Sequence, residues 1–288
     1  MEAGLTFCEA TRPSNGELKP FMSQNYLSFD ETLGLLATLE AKAPPDLQAD
    51  LAALRASLDG YSQRQSEFIS HMVHEVRKPM TSIRGYADML KVMGTLNDQQ
   101  IQFLGTIRTN VLSMEALVSD ISDISKLKSG RMKAEPKMEM FKNMSMQLEK
   151  DFKDLLEARQ MTLDMEIPQG LPLLNLDSNR ALQAIRKVVD NAIKYTHPGG
   201  KVTLIAAGEG NELVVHVKDH GVGISPQDQT HFGELFFRGD NELVTQTKGY
   251  GLGIPIALEC LKLVGGSMTW QSTVGEGSHF QIRLPAMS

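Results

Sequence analysis

Leu47, Leu51, Leu54, Leu58, Tyr61, Gln65, Phe68 and Met72 follow one another at alternating steps of four and three. This spacing is an a/d seam, and it confines the segment to a long helix with one apolar stripe. The stripe fits either a single amphipathic helix packed on its own domain or a parallel pair of helices. Two features favour the pair: the seam outlasts what a small domain needs, and Gln65 is a polar residue of the kind that sets register. Pro44-Pro45 precedes the seam and closes a shorter helix, FDETLGLLATLEAK, with Asp30 near its start.

A second long helix is predicted from about Asp98 to Lys128. Ile101, Leu104, Ile107, Val111, Met114, Leu117 or Val118, Ile121 and Ile124 mark its apolar face. Asn97 suits the N-cap, Gln100 can reach back to it as in a capping box, and Gly130 supplies the stop. A short MGTLN turn joins the two long helices into a hairpin. Alone, such a hairpin exposes its apolar faces; two copies make a four-helix bundle.

From about Lys137 the pattern changes. MTLDMEI, KVTLIAAG, ELVVHVKD, SMTWQST and HFQIRLP read as strands, interleaved with helices near 178–194 and 253–264. The order predicts an α/β sandwich and not a regular doubly wound sheet. Residues 1 to about 29 are polar and patternless.

Composition narrows the partners. The chain has 288 residues, 41% hydrophobic and 22% charged, which fits one large or two smaller globular domains. A net charge of -6 argues against a general nucleic-acid binder. Cys8 and Cys260 match no zinc spacing and are not expected to form a disulfide, so a reducing cytoplasm is the expected location. No apolar h-region marks a signal peptide, and no stretch approaches the roughly eighteen apolar residues of a membrane span. An outside signal would therefore arrive through a partner.

Three segments of the second half carry chemistry. VVDNAIKYTHPGG ends a helix with Asn191, Lys194 and Tyr195; VKDHGVGI puts Asp219 at a strand end before Gly221 and Gly223; KGYGLGIPIALECL sets Gly249, Gly251 and Gly253 ahead of a helix. Glycines let backbone approach phosphate, and a helix start near Gly253 adds a positive dipole end. A carboxylate accepts hydrogen bonds only, so Asp219 suits an exocyclic amino group such as adenine N6, and an Asn carbonyl suits Mg²⁺ alongside phosphates. Each piece alone is ordinary: a turn, a solvated lysine, a packing tyrosine, a capping aspartate. Together and in this order they point to a nucleotide site.

From about residue 57 to the C-terminus the chain resembles the sensor histidine kinases of two-component signalling. HEVRKPMTSIRGYADML resembles their phosphoacceptor box, DNAIKYT their Asn box, DHGVGI and KGYGLGIPIALECLKLVGG their Gly boxes, and GEGSHFQIRLP the closing hairpin of their ATP domain. The resemblance implies a helical-hairpin, four-helix-bundle dimerisation domain over 57–130, followed by a Bergerat-type (GHKL) α/β sandwich over 137–288. Residues 1–56 would form an N-terminal segment with a short helix and the start of a signalling helix. It also implies an ATP-dependent protein-histidine kinase with ATP and Mg²⁺ as cofactors. The enzyme would act as a homodimer and hand its phosphoryl group to an aspartate of a separate response regulator.

The implied roles fall on named residues. His74 would accept phosphate, with Glu75 accepting or orienting the proton on its other ring nitrogen. Asn191 would hold Mg²⁺, Lys194 would reach phosphate, Tyr195 would pack on adenine and Asp219 would read its amino group. Gly221, Gly223, Gly249, Gly251 and Gly253 would frame a mobile lid between about Pro226 and Lys248, with Arg238 stabilising charge in transfer. His71 lies one turn before His74 but lacks the following acid and the correctly placed proline. Pro79 frees the Glu75 carbonyl and is expected to bend the helix; the bend is either a tolerated kink or a hinge that couples the seam to exposure of His74.

Three departures stand out. Lys187 occupies a position where the family often has Asn, and Gly233 one where Phe is common. Lys78 stands where Thr or Asn often holds the water that dephosphorylates the regulator; lysine accepts no hydrogen bond, so weak phosphatase activity is expected. Two other readings compete: a nucleotide-binding scaffold disabled by Lys187, and a conformational ATPase of the gyrase, mismatch-repair or heat-shock chaperone type. The hairpin carrying His74 argues against the last.

Overall fold

The computed structural model describes residues 29–287; the patternless N-terminal stretch with Cys8, and the Tyr61 side chain, lie outside the described residues. Helix α1 (Phe29–Lys42) stops before Pro44, and α2 (Pro45–Val92) begins at Pro45. The α2 helix runs through Pro79 as one element of 48 residues. Along its seam Leu47, Leu54, Phe68 and Met72 are exposed, Phe68 at 66%. Helix α3 (Asp98–Lys128) starts on the predicted capping box: Asn97 Oδ1 accepts from the Gln100 backbone N at 2.8 Å, and Gln100 Oε1 accepts from the Asn97 backbone N at 2.9 Å. Gly130, at φ 64°, ends it as expected.

The chain divides into two units, one ending at Tyr61 and one from Ser62 onward. In the second unit, α2 and α3 form the expected hairpin. Val73, Met80 and Ala87 of α2 and Val111, Ile124 and Leu127 of α3 are buried. Arg84 pairs with Glu115 at 2.6 Å, and Ser66 Oγ bonds Ser125 Oγ at 2.6 Å.

The α/β part of this unit comprises β1 (Lys137–Glu139), α4 (Phe141–Arg159), β2 (Thr162–Glu166), β3 (Leu174–Leu176), α5 (Ser178–Tyr195), β4 (Lys201–Glu209), β5 (Glu212–Asp219), α6 (Pro226–His231), α7 (Glu242–Gln246), α8 (Gly253–Leu263), β6 (Ser267–Thr273) and β7 (Gly277–Pro285). The main sheet has the order β2-β4-β5-β7-β6, with β2 parallel to β4 and the other neighbours antiparallel. Its five strands are those read from the sequence. The parallel pair follows from the α5 crossover, because parallel strands need a long connection.

Leu213, Val215 and Val217 of β5 face one shared core with α4, α5 and α8. The intervening His216 and Lys218 point to the other face of the sheet, as strand alternation requires. Besides the short helices α6 and α7, two features go beyond the sequence reading. One is α4, whose Phe141, Met144, Leu148 and Phe152 are buried at helical spacing; the other is the small antiparallel β1–β3 sheet. Among the described residues, no helix is long and apolar enough to cross a membrane.

Candidate functional site

The end of α5, the end of β5, the start of α8 and the α6–α7 segment enclose a cavity of about 430 Å³. That volume lies within the range of about 300–1,000 Å³ usual for small-molecule sites. Asn191, Lys194, Tyr195 and Asp219 all line it, as do Gly223, Gly249, Gly251 and Gly253 from the glycine-bearing segments and Arg238 from the lid. Residues far apart in sequence are thus brought together as the sequence reading expects.

Asp219 is buried at 8% exposure. Its Oδ1 accepts from the backbone N of Gly221 at 2.9 Å and of Ser278 at 3.1 Å. Burial pushes its carboxyl above the usual carboxylate range, while these two amide bonds and His220 pull the other way. Among the described residues both bonds fall on Oδ1, which leaves Oδ2 as an acceptor. Gly221 does not line the cavity; a Cβ there would strike the Tyr195 carbonyl, so it lets the end of β5 lie against the end of α5. Gly223, at φ 67°, would strike the Thr273 carbonyl with a Cβ.

Gly253 opens α8, and no side chain caps that end. The N–H groups of Gly253 and Ile254 in the first turn of α8, beside the cavity, suit an anion. Asn191 stands next to this end: a Cβ built on Gly253 would lie 3.6 Å from its Oδ1. The nearby cations already have partners. Lys194 Nζ lies 2.6 Å from Asp190 Oδ2, and Lys187 Nζ lies 2.6 Å from Asp120 Oδ1. The Arg238 guanidinium donates to the carbonyls of Gly249 at 2.9 Å, Thr247 at 2.7 Å and Val244, and so is tied to the 244–249 segment.

The lid holds two short capped helices, with Ser225 capping α6 and Asn241 capping α7. Gly233 sits at φ 106°, and the ring of the preceding Phe232 lies 5.1 Å from Trp270 and 5.9 Å from Phe280.

His74 and His71 are both exposed on α2. The hydrogen-bond partner of Glu75 is Lys78 and not His74: its Oε1 accepts from Lys78 Nζ at 2.6 Å, and His74 acts on it only through charge. Helix geometry explains the choice, because residues three apart are neighbours and successive residues diverge. The hydrogen bond from Lys78, with its charge, holds the Glu75 carboxyl below its usual range. Sequence reasoning did not foresee this pair, nor the Lys187–Asp120 and Lys194–Asp190 pairs; only the two pairs within one helix, at 75/78 and 190/194, carried a signal in their spacing.

Residues 64–130 match the His Kinase A (phospho-acceptor) domain, and residues 176–288 match the histidine kinase-, DNA gyrase B-, and HSP90-like ATPase domain; together they cover more than half of the chain. The sensor protein GacS of Pseudomonas syringae pv. syringae is 31% identical over 90% of this chain and 29% of its own length. The autoinducer 2 sensor kinase/phosphatase LuxQ of Vibrio cholerae serotype O1 is 26% identical over 93% of this chain and 31% of its own. The chain therefore spans about a third of the length of these relatives. The crystal structure of full-length ShkA in complex with AMPPNP shares the fold, with a TM-score of 0.66 and 23% identity over 77% of this chain and 46% of that one. A phosphoacceptor hairpin followed by this ATPase sandwich makes the chain a member of the sensor histidine kinases of two-component signal transduction.

Proposed function

We propose that the protein is an ATP-dependent protein-histidine kinase that phosphorylates His74 and passes the group to an aspartate of a separate response regulator. The observation that supports it most is the convergence of Asp219, Asn191, Tyr195 and the uncapped α8 start on one cavity. The residues fit an adenine nucleotide. Asp219 offers a buried acceptor to the adenine amino group, Tyr195 a ring for the base, and the α8 amides and Lys194 a seat for phosphate. Among the described residues, no hydrogen bond within the protein engages the Asn191 side chain. Its carbonyl thus suits a Mg²⁺ shared with phosphates. Nucleotide and metal supply the phosphoryl group and its charge neutralisation. The chain supplies position and a nucleophile, the imidazole of His74.

A ring nitrogen of His74 attacks the γ-phosphorus; a new N–P bond forms as the bond to the leaving nucleoside diphosphate breaks. Glu75, committed to Lys78, serves this step through its charge. Lys78 presents donors only, so dephosphorylation of the regulator by this protein is weak, and Lys78→Thr accelerates the decay of phosphorylated regulator. The deciding experiment is incubation with labelled ATP and Mg²⁺. An acid-labile, base-stable label on the wild-type chain, lost in His74→Gln and kept in His71→Gln, is the expected result. Label retained in His74→Gln overturns the assignment.

A further inference from the structure

Lys187 of α5 and Asp120 of α3 are joined at 2.6 Å, each side chain 22% exposed, and both line the cavity. Ser113, Ala116 and Leu117 of α3 line it as well, so one wall of the candidate nucleotide site belongs to the helical hairpin. One turn earlier on α5, Gln183 Nε2 donates to Asp123 Oδ2 of α3 at 2.7 Å. Two adjacent polar contacts thus fasten α5 to α3, and only one of them uses a cation that faces the cavity.

The Lys187 ammonium therefore has two competing anions: the carboxylate it holds and the phosphates of a bound nucleotide. A triphosphate carries more charge than a single carboxylate and presents several acceptors. Lys194 differs, because its partner Asp190 lies on the same helix and exchanging it loosens no contact between elements. Once Lys187 turns to phosphate, Asp120 is left as a half-buried carboxylate facing negative charge, which is unfavourable.

We propose that Lys187 is a phosphate ligand of the nucleotide and also a latch, exchanging Asp120 for phosphate so that nucleotide binding opens one of the two polar contacts between α3 and α5 and loosens α3 there. The proposal rests on reading the cavity as a nucleotide site. Linkage makes it reciprocal: whatever nucleotide does to the latch, opening the latch does to nucleotide affinity by the same factor.

The test is calorimetric binding of a non-hydrolysable ATP analogue with Mg²⁺ to the full chain, wild type and variants. Asp120→Asn, nearly isosteric, is expected to tighten binding on the order of tenfold, and Lys187→Gln to weaken it by a similar factor. In the Lys187→Gln background the gain from Asp120→Asn should fall to about threefold or less, because the two effects share one contact. Amide exchange over residues 113–123 should rise on analogue binding in the wild type and stay unchanged in Lys187→Gln. An unchanged or weakened affinity in Asp120→Asn, or a full tenfold gain that persists without Lys187, overturns the latch while leaving the nucleotide site intact. No binding of the analogue to wild type overturns the site reading itself.

Discussion

At Asp219 both amide hydrogen bonds fall on Oδ1, so a proton taken up as pH falls goes to Oδ2, the oxygen left for a ligand. Burial raises this carboxyl, so the loss begins at higher pH than for an ordinary aspartate. Nucleotide affinity should therefore fall on acidification through that raised value. Asp219→Asn should flatten the profile and cost about 1.5–3 kcal/mol of binding at neutral pH, the usual worth of a charged hydrogen bond. Calorimetry across the pH range reads both effects, and an unaltered profile in the mutant counts against the adenine role. His216 and His279 give a second acid effect, on stability. Their rings share a bond between Nδ1 and Nε2 of 2.9 Å, and burial first, then Lys218, holds both below the ordinary histidine value. A histidine lowered on folding binds its proton sooner when unfolded, so stability drains away as pH falls from about 6.5 towards the lowered values. Urea midpoints at about pH 7.5 and about pH 5.5 should show this drop, and His279→Gln should shrink it. The cavity residues were readable because each motif fixes a residue at the end of a regular element. The partners of the long cations were not, because Lys187, Lys78 and Arg238 have long side chains whose choice depends on tertiary neighbours and rotamers.

Among the elements, those with long periodic patterns were readable, and α3 was readable to its ends because its caps are chemical signals. Asn97 anchors that start through a reciprocal pair with Gln100. Asn97→Ala should cost about 1 kcal/mol in thermal or urea unfolding and raise amide exchange in the first turn of α3. An unchanged stability would mean that the turn, and not the cap, holds the helix start. The α4 helix carried a usable signal in Phe141, Met144, Leu148 and Phe152, but its flanking methionines and charges hid a clear start, and its N-cap Met140 makes no side-chain cap bond. The β1 and β3 strands have three residues each, too few for alternation to register, and they exist because they pair with one another. The lid helices α6 and α7, of six and five residues, fall below the length at which periodicity is informative.

At the scale of the whole molecule, the hairpin leaves apolar side chains in solvent. Ile83, Met89, Ile101 and Ile107 are 48%, 52%, 47% and 41% exposed, on α2 and α3. A second copy of the hairpin is the occupant that the a/d seam and the phosphoacceptor-domain match favour. The chain should therefore sediment as a dimer at micromolar concentration, with a melting temperature that rises with protein concentration. Ile107→Asp puts a charge on that face in both copies. At about 1.5–3 kcal/mol for each apolar side chain no longer buried, the two copies together lose about 3 kcal/mol or more. Since about 1.4 kcal/mol is a tenfold change, the dimer should weaken on the order of a hundredfold. Ile107 is not among the residues lining the cavity, so nucleotide binding should survive the substitution. A wild type that sediments as a monomer, or an Ile107→Asp chain as dimeric as the parent, would place the exposed face outside the dimer contact.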